Sequence, residues 1–308
     1  MNIFHRQNLK SIMKEHLTAE SGEVEVLLAA AIKKDRAFIL AHPEYIPTIP
    51  DRIVIRRFLK KFRRGWPIAY ITGHKEFFGL DFLVNKNVLI PRPETEMMVE
   101  AAISEISNFS PYGGSPEGRK NLNNQILIVD VGTGSGCVPI SIIKTLKHKN
   151  IKTLAIDISN AALKTARKNA KRHGVDIEFL HGDLLEPIIK SKIQNTNYKL
   201  LITANLPYLT AEQFASEPSI QHEPRTALIA DDQTGLSLYE KLFKQTASLC
   251  ELRTVGCELI LEIDPRQSTA ALTLAKKNFP GAKVEIKKDL AGHDRLVLIK
   301  IENSNLKQ

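Results

Sequence analysis

Residues 126–136 read ILIVDVGTGSG, an apolar run followed by a turn that holds three glycines. The run Ile126–Val131 is typical of a buried strand in a parallel sheet. Gly132, Gly134 and Gly136 let the backbone of the turn approach a ligand closely. In an open α/β sheet, ligands bind beyond the carboxyl ends of the strands. This stretch therefore predicts a ligand site where a central strand ends.

Downstream of the turn, strand-like and helix-like stretches alternate, which favours a doubly wound, mostly parallel α/β sheet. The strand-like runs are 126–131, 152–156, 177–180, 200–204 and 258–263, and the helix-like stretches are 137–147, 160–173, 237–252 and 266–278. Two more strand-like runs, 283–287 and 295–301, are too close in sequence for a crossover helix between them. We therefore expect a seven-stranded sheet whose last two strands pair antiparallel at one edge.

Upstream of the sheet, apolar residues recur at helical spacing, first between residues 24 and 31 and again between residues 55 and 62. A small all-helical domain is therefore predicted to open the chain. The predicted organisation is a helical domain over 1–66, a linker with short strands or a hairpin over 67–93, and the sheet domain over 94–308. Residues 107–125 are rich in glycine, proline and asparagine, which predicts a mobile surface insertion within that last domain.

Composition excludes several classes of protein. The chain has 308 residues, of which 43% are hydrophobic and 25% charged, so collagen-like and disordered classes do not apply. No apolar run approaches the roughly 18 residues that a bilayer span needs, and the first residues lack the apolar segment of a secretory signal. We expect a cytoplasmic protein with no membrane partner.

The net charge of +9 permits attraction to nucleic acid or to an acidic protein. Three cysteines and nine histidines show no pairing or metal-ligand spacing, so we expect reduced thiols and no metal.

Acidic residues follow the next two predicted strands. Asp157 ends the second strand, where an acid would meet the ribose hydroxyls of a nucleoside cofactor, and Asp183 follows the third. NAD and S-adenosylmethionine both bind at such an edge. The turn lacks the third glycine of G-x-G-x-x-G, because that position is Cys137. Asp130 before the turn also favours a cationic methyl donor over a pyrophosphate, so the pattern favours S-adenosylmethionine.

A second motif, Asn205-Leu206-Pro207-Tyr208, directly follows the apolar run 200–204 and so lies at the same edge. The Asn205 amide oxygen and the Leu206 carbonyl, held by the rigid Pro207, can accept the two hydrogens of a planar NH₂ group. Tyr208 would supply an aromatic wall for that group. Such a site suits a carboxamide or the exocyclic amine of a base, since both nitrogens are conjugated and must be oriented toward the methyl group.

Further motifs resemble those of the HemK/PrmC family, the glutamine N5-methyltransferases that modify the Gly-Gly-Gln tripeptide of peptide-chain release factors. The resemblance covers nearly the whole chain. Besides the glycine turn, it is carried by PIAYITG (67–73), EFFGL (76–80), LIPRPETE (89–96), HEPRTAL (222–228) and GHDR (292–295). The RPETE element and the linker before it are the most specific part, because generic methyltransferases lack them.

The resemblance implies a class I S-adenosylmethionine-dependent methyltransferase fold preceded by a helical substrate-docking domain. It implies that the cofactor is held by Gly132, Thr133, Gly134, Ser135, Gly136, Asp157, Asp183, Leu184 and Asn205. The ribose would lie on Asp157 and the adenine near Asp183 and Leu184. The family's Asn-Pro-Pro-Tyr becomes Asn205-Leu206-Pro207-Tyr208 here, and these four residues would bind the substrate amide and form the catalytic site. The implied partners are peptide-chain release factors.

Two other functions stay open at this point. The Asn-Leu-Pro-Tyr sequence also resembles the motif of rRNA adenine dimethyltransferases, and an exocyclic adenine amine presents the same NH₂ group. An adenine-N6 methyltransferase acting on RNA or DNA is therefore the alternative. A binding protein without catalysis is the third reading. We favour the release factor methyltransferase, with no stable nucleic-acid partner, because both chemical motifs are present together with the RPETE element.

Overall fold

The computed structural model describes residues 7–15, 21–108, 126–146, 151–191, 198–230, 232–251 and 256–302. The chain divides into two compact units, Met1–His74 and Lys75–Gln308. The helices are α1 (Leu9–Glu15), α2 (Ser21–Ile32), α3 (Arg36–Ala41), α4 (Ile49–Phe62), α5 (Ile68–Thr72), α6 (Glu96–Asn108), α7 (Cys137–Leu146), α8 (Asn160–His173), α9 (Glu186–Lys190), α10 (Ala211–Ser216), α11 (Ser237–Glu251) and α12 (Ser268–Asn278). The strands are β1 (His74–Phe77), β2 (Leu80–Leu83), β3 (Ile126–Val131), β4 (Ile151–Asp157), β5 (Glu178–His181), β6 (Lys199–Ala204), β7 (Cys257–Glu262), β8 (Lys283–Lys288) and β9 (Asp294–Ile301). Within the described residues, no helix has the length and apolarity to cross a bilayer.

The first unit contains helices α1 to α5, as the helical spacing predicts. Its apolar core includes Leu9, Ile12, Leu27, Leu28, Ile39, Ile55, Leu59 and Ile71. Helix α4 begins with a capping box, in which Thr48 Oγ1 accepts a hydrogen bond from Asp51 N at 3.3 Å and the Asp51 carboxylate accepts one from Thr48 N at 3.2 Å. Because Ile71 of α5 belongs to this core, the helical unit continues beyond residue 66, where the spacing predicts its end.

Residues 67–93 contain α5 and the two-stranded hairpin formed by β1 and β2. The first turn of α6 contacts this hairpin, because Glu96 Oε1 accepts a hydrogen bond from Phe78 N at 2.8 Å. Helix α6 extends to Asn108. The rest of the predicted insertion 107–125 lies outside the described residues.

The second unit is built on a seven-stranded sheet in the order β5-β4-β3-β6-β7-β9-β8. The strands from β5 to β7 pair in parallel, whereas β9 is antiparallel to both β7 and β8. The link between β8 and β9 is too short for a crossover helix, which accounts for the reversed direction of β9. The prediction of a doubly wound, mostly parallel sheet with an antiparallel edge is confirmed.

Alternate residues of the central strand β3 contribute to the two faces of the sheet. Leu127, Val129 and Val131 belong to an apolar core that includes residues of α11 and α12, whereas Ile126 and Ile128 belong to a core with residues of α6 and α7. Helices therefore cover both faces. All six residues of β3 are buried for this reason, which explains why the run lacks the polar alternation of a half-exposed strand.

A buried amide joins the hairpin to the glycine-rich turn. Asn169 of α8 is 0% exposed, and its Oδ1 accepts a hydrogen bond from Leu83 N at 2.8 Å. Its Nδ2 donates to Leu83 O at 3.0 Å and to Ser135 O at 2.8 Å. One side chain thus satisfies three backbone groups, from β2 and from the turn after β3.

Cys250 at the end of α11 and Cys257 at the start of β7 form a disulfide, with their Cα atoms 6.4 Å apart. The expectation of three reduced thiols is therefore wrong for these two residues. The helix end and the strand start lie close together in space, within the Cα separation that a disulfide spans. Cys137 is free and buried.

We expect Asn169→Ala to lower the free energy of unfolding by about 3 kcal/mol, because it leaves three backbone groups without their side-chain partner. Urea denaturation followed by circular dichroism measures the change. Asn160→Ala is the matched control, because Asn160 is exposed at the start of the same helix and its loss should cost less than about 0.5 kcal/mol. Equal stability of the two variants would show that the Asn169 amide does not stabilise the fold.

Candidate active site

A cavity of about 300 Å³ lies beyond the carboxyl ends of β3, β4, β5 and β6. Among the residues predicted from sequence, those that line it are Gly132, Thr133, Gly134, Ser135, Asp157, Asp183, Leu184, Asn205, Leu206 and Pro207. Two predicted residues, Gly136 and Tyr208, do not line the cavity. Gly132 directly follows β3, and Asn205 directly follows β6. The parallel strands therefore bring the glycine turn, the acidic residues and the Asn-Leu-Pro-Tyr motif to the same edge of the sheet.

The glycine turn owes its shape to positive φ angles and to hydrogen bonds with the neighbouring strand. Gly132 N and Thr133 N both donate to Ile156 O, at 2.9 and 3.0 Å. Gly134 has φ +56°, and a Cβ there would meet nothing nearer than a backbone oxygen at 3.9 Å, so its position opens toward the cavity. Gly136 has another role, because a Cβ there would approach Ile140 and Ala166 at 3.1 and 3.2 Å. That glycine permits close packing of α7 and α8.

Two carboxyl groups give the cavity its negative character. Asp130 is buried and accepts a hydrogen bond from Thr203 Oγ1 at 2.7 Å, and its burial raises its pKa to about 6. Asp157 accepts hydrogen bonds from Gly134 N at 2.9 Å and from Ser159 N at 2.8 Å. Burial also raises the pKa of Asp157, although these backbone donors oppose that effect. Each carboxylate oxygen of Asp157 keeps a further lone pair for a ligand hydroxyl.

The segment after β5 contributes an apolar wall. Leu184 lies in the left-handed region with φ +53° and is 7% exposed. Asp183 lines the cavity and forms an ion pair with Lys241 of α11. Gly182 makes room for this turn, because a Cβ there would come within 2.3 Å of Pro187 Cγ. Leu184 thus offers side-chain surface to a ligand, while Asp183 already has a cationic partner.

The Asn205 side chain is oriented by its neighbours. Its Nδ2 donates to Thr95 Oγ1 at 3.2 Å, and Thr95 Oγ1 donates to the buried Glu262 Oε2 at 2.7 Å. Burial raises the pKa of Glu262 to about 7, and the hydrogen bond from Thr95 opposes this shift. With its nitrogen committed to Thr95, Asn205 keeps Oδ1 as an acceptor.

The backbone of the same motif is also held at several points. Leu206 N donates to Tyr239 Oη at 3.2 Å, and the Leu206 side chain is 3% exposed and packs near Gly132. Tyr208 O accepts from Gln267 Nε2 at 3.2 Å. Tyr208 itself is half-buried, and burial raises its pKa. The Leu206 carbonyl therefore belongs to a segment whose backbone position is fixed on both sides.

Two motifs without a predicted role meet beside the cavity. Glu223 is buried, its Oε2 accepts from Ile90 N at 3.0 Å, and its Oε1 forms an ion pair with Arg92. Arg92 and Thr226 both line the cavity. The sequence signals were the two proline-containing motifs, LIPRPETE and HEPRTAL. Their contact could not be predicted, because Arg92 and Glu223 lie 131 residues apart.

In the ranges that the structure describes, no group of three His, Cys, Asp or Glu side chains is placed to hold a metal ion. His181 precedes the cavity-lining Gly182, and its Nε2 lies 2.9 Å from the carbonyl oxygen of Ile158.

Each of the two units contains a stretch that matches a known protein family model. Residues 6–73 match the family model described as PrmC N-terminal domain, and residues 128–217 match the one described as methyltransferase domain. The catalytic domain of hMettl16, solved in complex with a MAT2A 3′UTR hairpin, has a similar fold, with a TM-score of 0.50 at 16% identity over 83% of this chain and 82% of that chain.

Curated relatives extend over most of the chain. A protein of Bacillus subtilis named release factor glutamine methyltransferase is 33% identical over 281 residues, which cover 90% of each chain. A protein of Flavobacterium psychrophilum with the same name is 36% identical over 244 residues, which cover 78% of each chain. The chain therefore belongs to the release factor glutamine methyltransferase family.

Proposed function

We propose that this protein transfers a methyl group from S-adenosylmethionine to the side-chain amide nitrogen, N5, of the glutamine in the Gly-Gly-Gln motif of peptide-chain release factors. The observation that carries the proposal is the pair of acceptors at the cavity, Asn205 Oδ1 and the Leu206 carbonyl. Family membership supports the same reaction, because the relatives are named for it. The substrate is then a protein, met in the cytoplasm, and no stable nucleic-acid or membrane partner is required.

The residues of the cavity fit S-adenosylmethionine, which supplies a methyl group on a positively charged sulfur. Asp130 and Asp157 provide the negative charge and acceptor oxygens that its amino group and ribose hydroxyls need. The open side of Gly134 permits close approach of the ligand. Leu184 and the 62% exposed Ile158 supply apolar surface for a base. We assign Asp157 to the ribose and the segment around Leu184 to the adenine.

The acceptor residues act by orienting the substrate nitrogen. The lone pair of a carboxamide nitrogen is delocalised, so it attacks only when it is aimed at the methyl carbon. Asn205 Oδ1 and Leu206 O can accept one hydrogen each from the NH₂ group, which fixes the plane of the amide. Such positioning can lower the activation free energy of a bimolecular step by on the order of 7–11 kcal/mol. Tyr208 does not line the cavity, and we propose that it contacts the substrate at the cavity rim.

The first test is transfer of label. Incubation with radiolabelled S-adenosylmethionine should label a purified release factor, and replacing the glutamine of its Gly-Gly-Gln motif by alanine should abolish the label. Ribosomal RNA and DNA serve as parallel substrates. Label in the nucleic acid and none in the release factor would favour the adenine-N6 alternative.

Asn205→Ala should reduce kcat by at least about 100-fold, because removal of a positioned hydrogen-bonding group in an active site costs roughly 3 kcal/mol. The Kd for S-adenosylmethionine, measured by calorimetry, should change far less. Asn160→Ala on the exposed face of α8 is the control and should behave as wild type. Turnover that survives in Asn205→Ala would remove the acceptor role of this residue.

Binding of S-adenosylmethionine should weaken as the pH falls below about 6. Burial raises the pKa of Asp130 to about 6, so its carboxyl is mostly protonated below that pH and no longer favours a cation. For a single proton, affinity decreases by up to about tenfold per pH unit in this range. Calorimetric Kd values between pH 5 and 8 measure the effect. Asp130→Asn should bind more weakly but without this pH step, and an unchanged step in the variant would show that another group is responsible.

A further inference from the structure

We infer that Thr95 and Tyr239 are positioning residues that hold the two acceptors of the reaction, and that both act from one anchor, Glu262 at the end of β7. The inference rests on the proposed function and deepens it. It concerns residues outside the Asn-Leu-Pro-Tyr motif, and each of the two is joined to one acceptor residue by a hydrogen bond.

The first arm of this network orients the Asn205 amide. When Glu262 is ionised, as it is above its pKa of about 7, Thr95 donates its single hydroxyl proton to the carboxylate at 2.7 Å. Its oxygen can therefore only accept from Asn205, and the Nδ2 group donates to it at 3.2 Å. A flipped amide would turn Oδ1 toward a hydroxyl whose proton is already committed. The side chain of Glu262 is buried, so the orientation is set by a fixed group.

The second arm holds the backbone at Leu206. Tyr239 is 1% exposed, and its hydroxyl accepts from Leu206 N at 3.2 Å and donates to the backbone oxygen of Glu262. A proline at position 206 would have no N–H to donate, and its ring would fix φ near −65° instead. In this chain the hydrogen bond to Tyr239 therefore supplies the constraint that a ring would give. The Leu206 carbonyl is held through the N–H of the same residue.

The two arms have a common origin in the fold. Strand β7 lies beside β6 in the sheet, with Leu261 paired to Ala204, so Glu262 ends its strand next to the point where Asn205 begins the motif. Glu262 contributes its carboxylate to one arm and its carbonyl to the other. A single residue of a buried strand thus fixes the distance between the two acceptors.

A double-mutant cycle tests the Tyr239 arm. Tyr239→Phe keeps the buried ring and removes only the hydroxyl, so it should lower kcat roughly tenfold at pH 8 with little change in the KM for S-adenosylmethionine. In a Leu206→Pro background the N–H is absent. There, Tyr239→Phe should change kcat less than about twofold relative to its own Leu206→Pro parent. Equal losses in both backgrounds would show a merely structural tyrosine and would overturn this arm.

A conservative pair tests the Thr95 arm and does not depend on the folding of the proline variant. Thr95→Val keeps the shape but loses the hydroxyl, and kcat should fall at least about tenfold, whereas Thr95→Ser should restore most of it. The Kd for S-adenosylmethionine should stay within about threefold in both variants. A serine variant as slow as the valine variant, or a valine variant as fast as wild type, would overturn this arm.

A measurement without substrate separates failure of the inference from failure of the proposed function. The Leu206 amide hydrogen should exchange with solvent at least about tenfold faster in Tyr239→Phe than in wild type. Wild-type protein that fails to label any release factor would overturn the proposed function, whatever the exchange rate. Wild-type labelling combined with unchanged kcat in Tyr239→Phe and Thr95→Val, and unchanged exchange at Leu206, would overturn the inference alone.

Discussion

The parallel register between β3 and β6 places the two chemical halves of the site side by side. Val131 pairs with Ala204, so the glycine turn and the Asn-Leu-Pro-Tyr motif begin at neighbouring points of one sheet edge. The contact is close because Gly132 has no side chain, and a Cβ there would approach Leu206 Cδ2 to 3.2 Å. A shift of this register by one residue would turn every buried side chain of the strand to the opposite face. The packing of both cores therefore fixes the register of β3 against β6, and with it the relative positions of the glycine turn and the Asn-Leu-Pro-Tyr motif.

Two pairs of strands contribute different groups to the site, one for the cofactor and one for the substrate amide. The ends of β3 and β4 supply the glycine turn, Asp130 and Asp157, which together suit a cationic nucleoside. The ends of β6 and β7 supply the two acceptor residues and Glu262, whereas Thr95 precedes α6 and Tyr239 lies in α11. Polar groups in this second half form one connected set, from Glu262 through Thr95 to Asn205 and through Tyr239 to Leu206. Glu262, Thr95 and Tyr239 are buried, whereas Asn205 is half-buried. The hydrogen bonds within the set hold these side chains in one arrangement and leave Asn205 Oδ1 as an acceptor.

Local patterns and the family resemblance predicted the sheet and ten of the residues that line the cavity. Gly136 and Tyr208 were also predicted but do not line it, and Arg92 and Thr226 line it without having been predicted. The strand before Gly132 and the acidic residue at the end of the next strand, Asp157, can each be recognised from the few residues around them in the sequence. The supports could not be predicted in this way, because Thr95 contacts Asn205 across 110 residues and Glu262 across 167. The sequence pattern of α11 places Tyr239 on its apolar face, and only the folded structure shows that the Tyr239 hydroxyl accepts a hydrogen bond from Leu206 N.

The most direct measurement is a crystal structure of this protein with S-adenosylhomocysteine and a release factor domain that carries the Gly-Gly-Gln motif. We expect the glutamine amide nitrogen to lie within about 3.2 Å of both Asn205 Oδ1 and the Leu206 carbonyl oxygen. A complex in which residues 205–208 face away from the sulfur, and in which other groups hold that nitrogen, would contradict it.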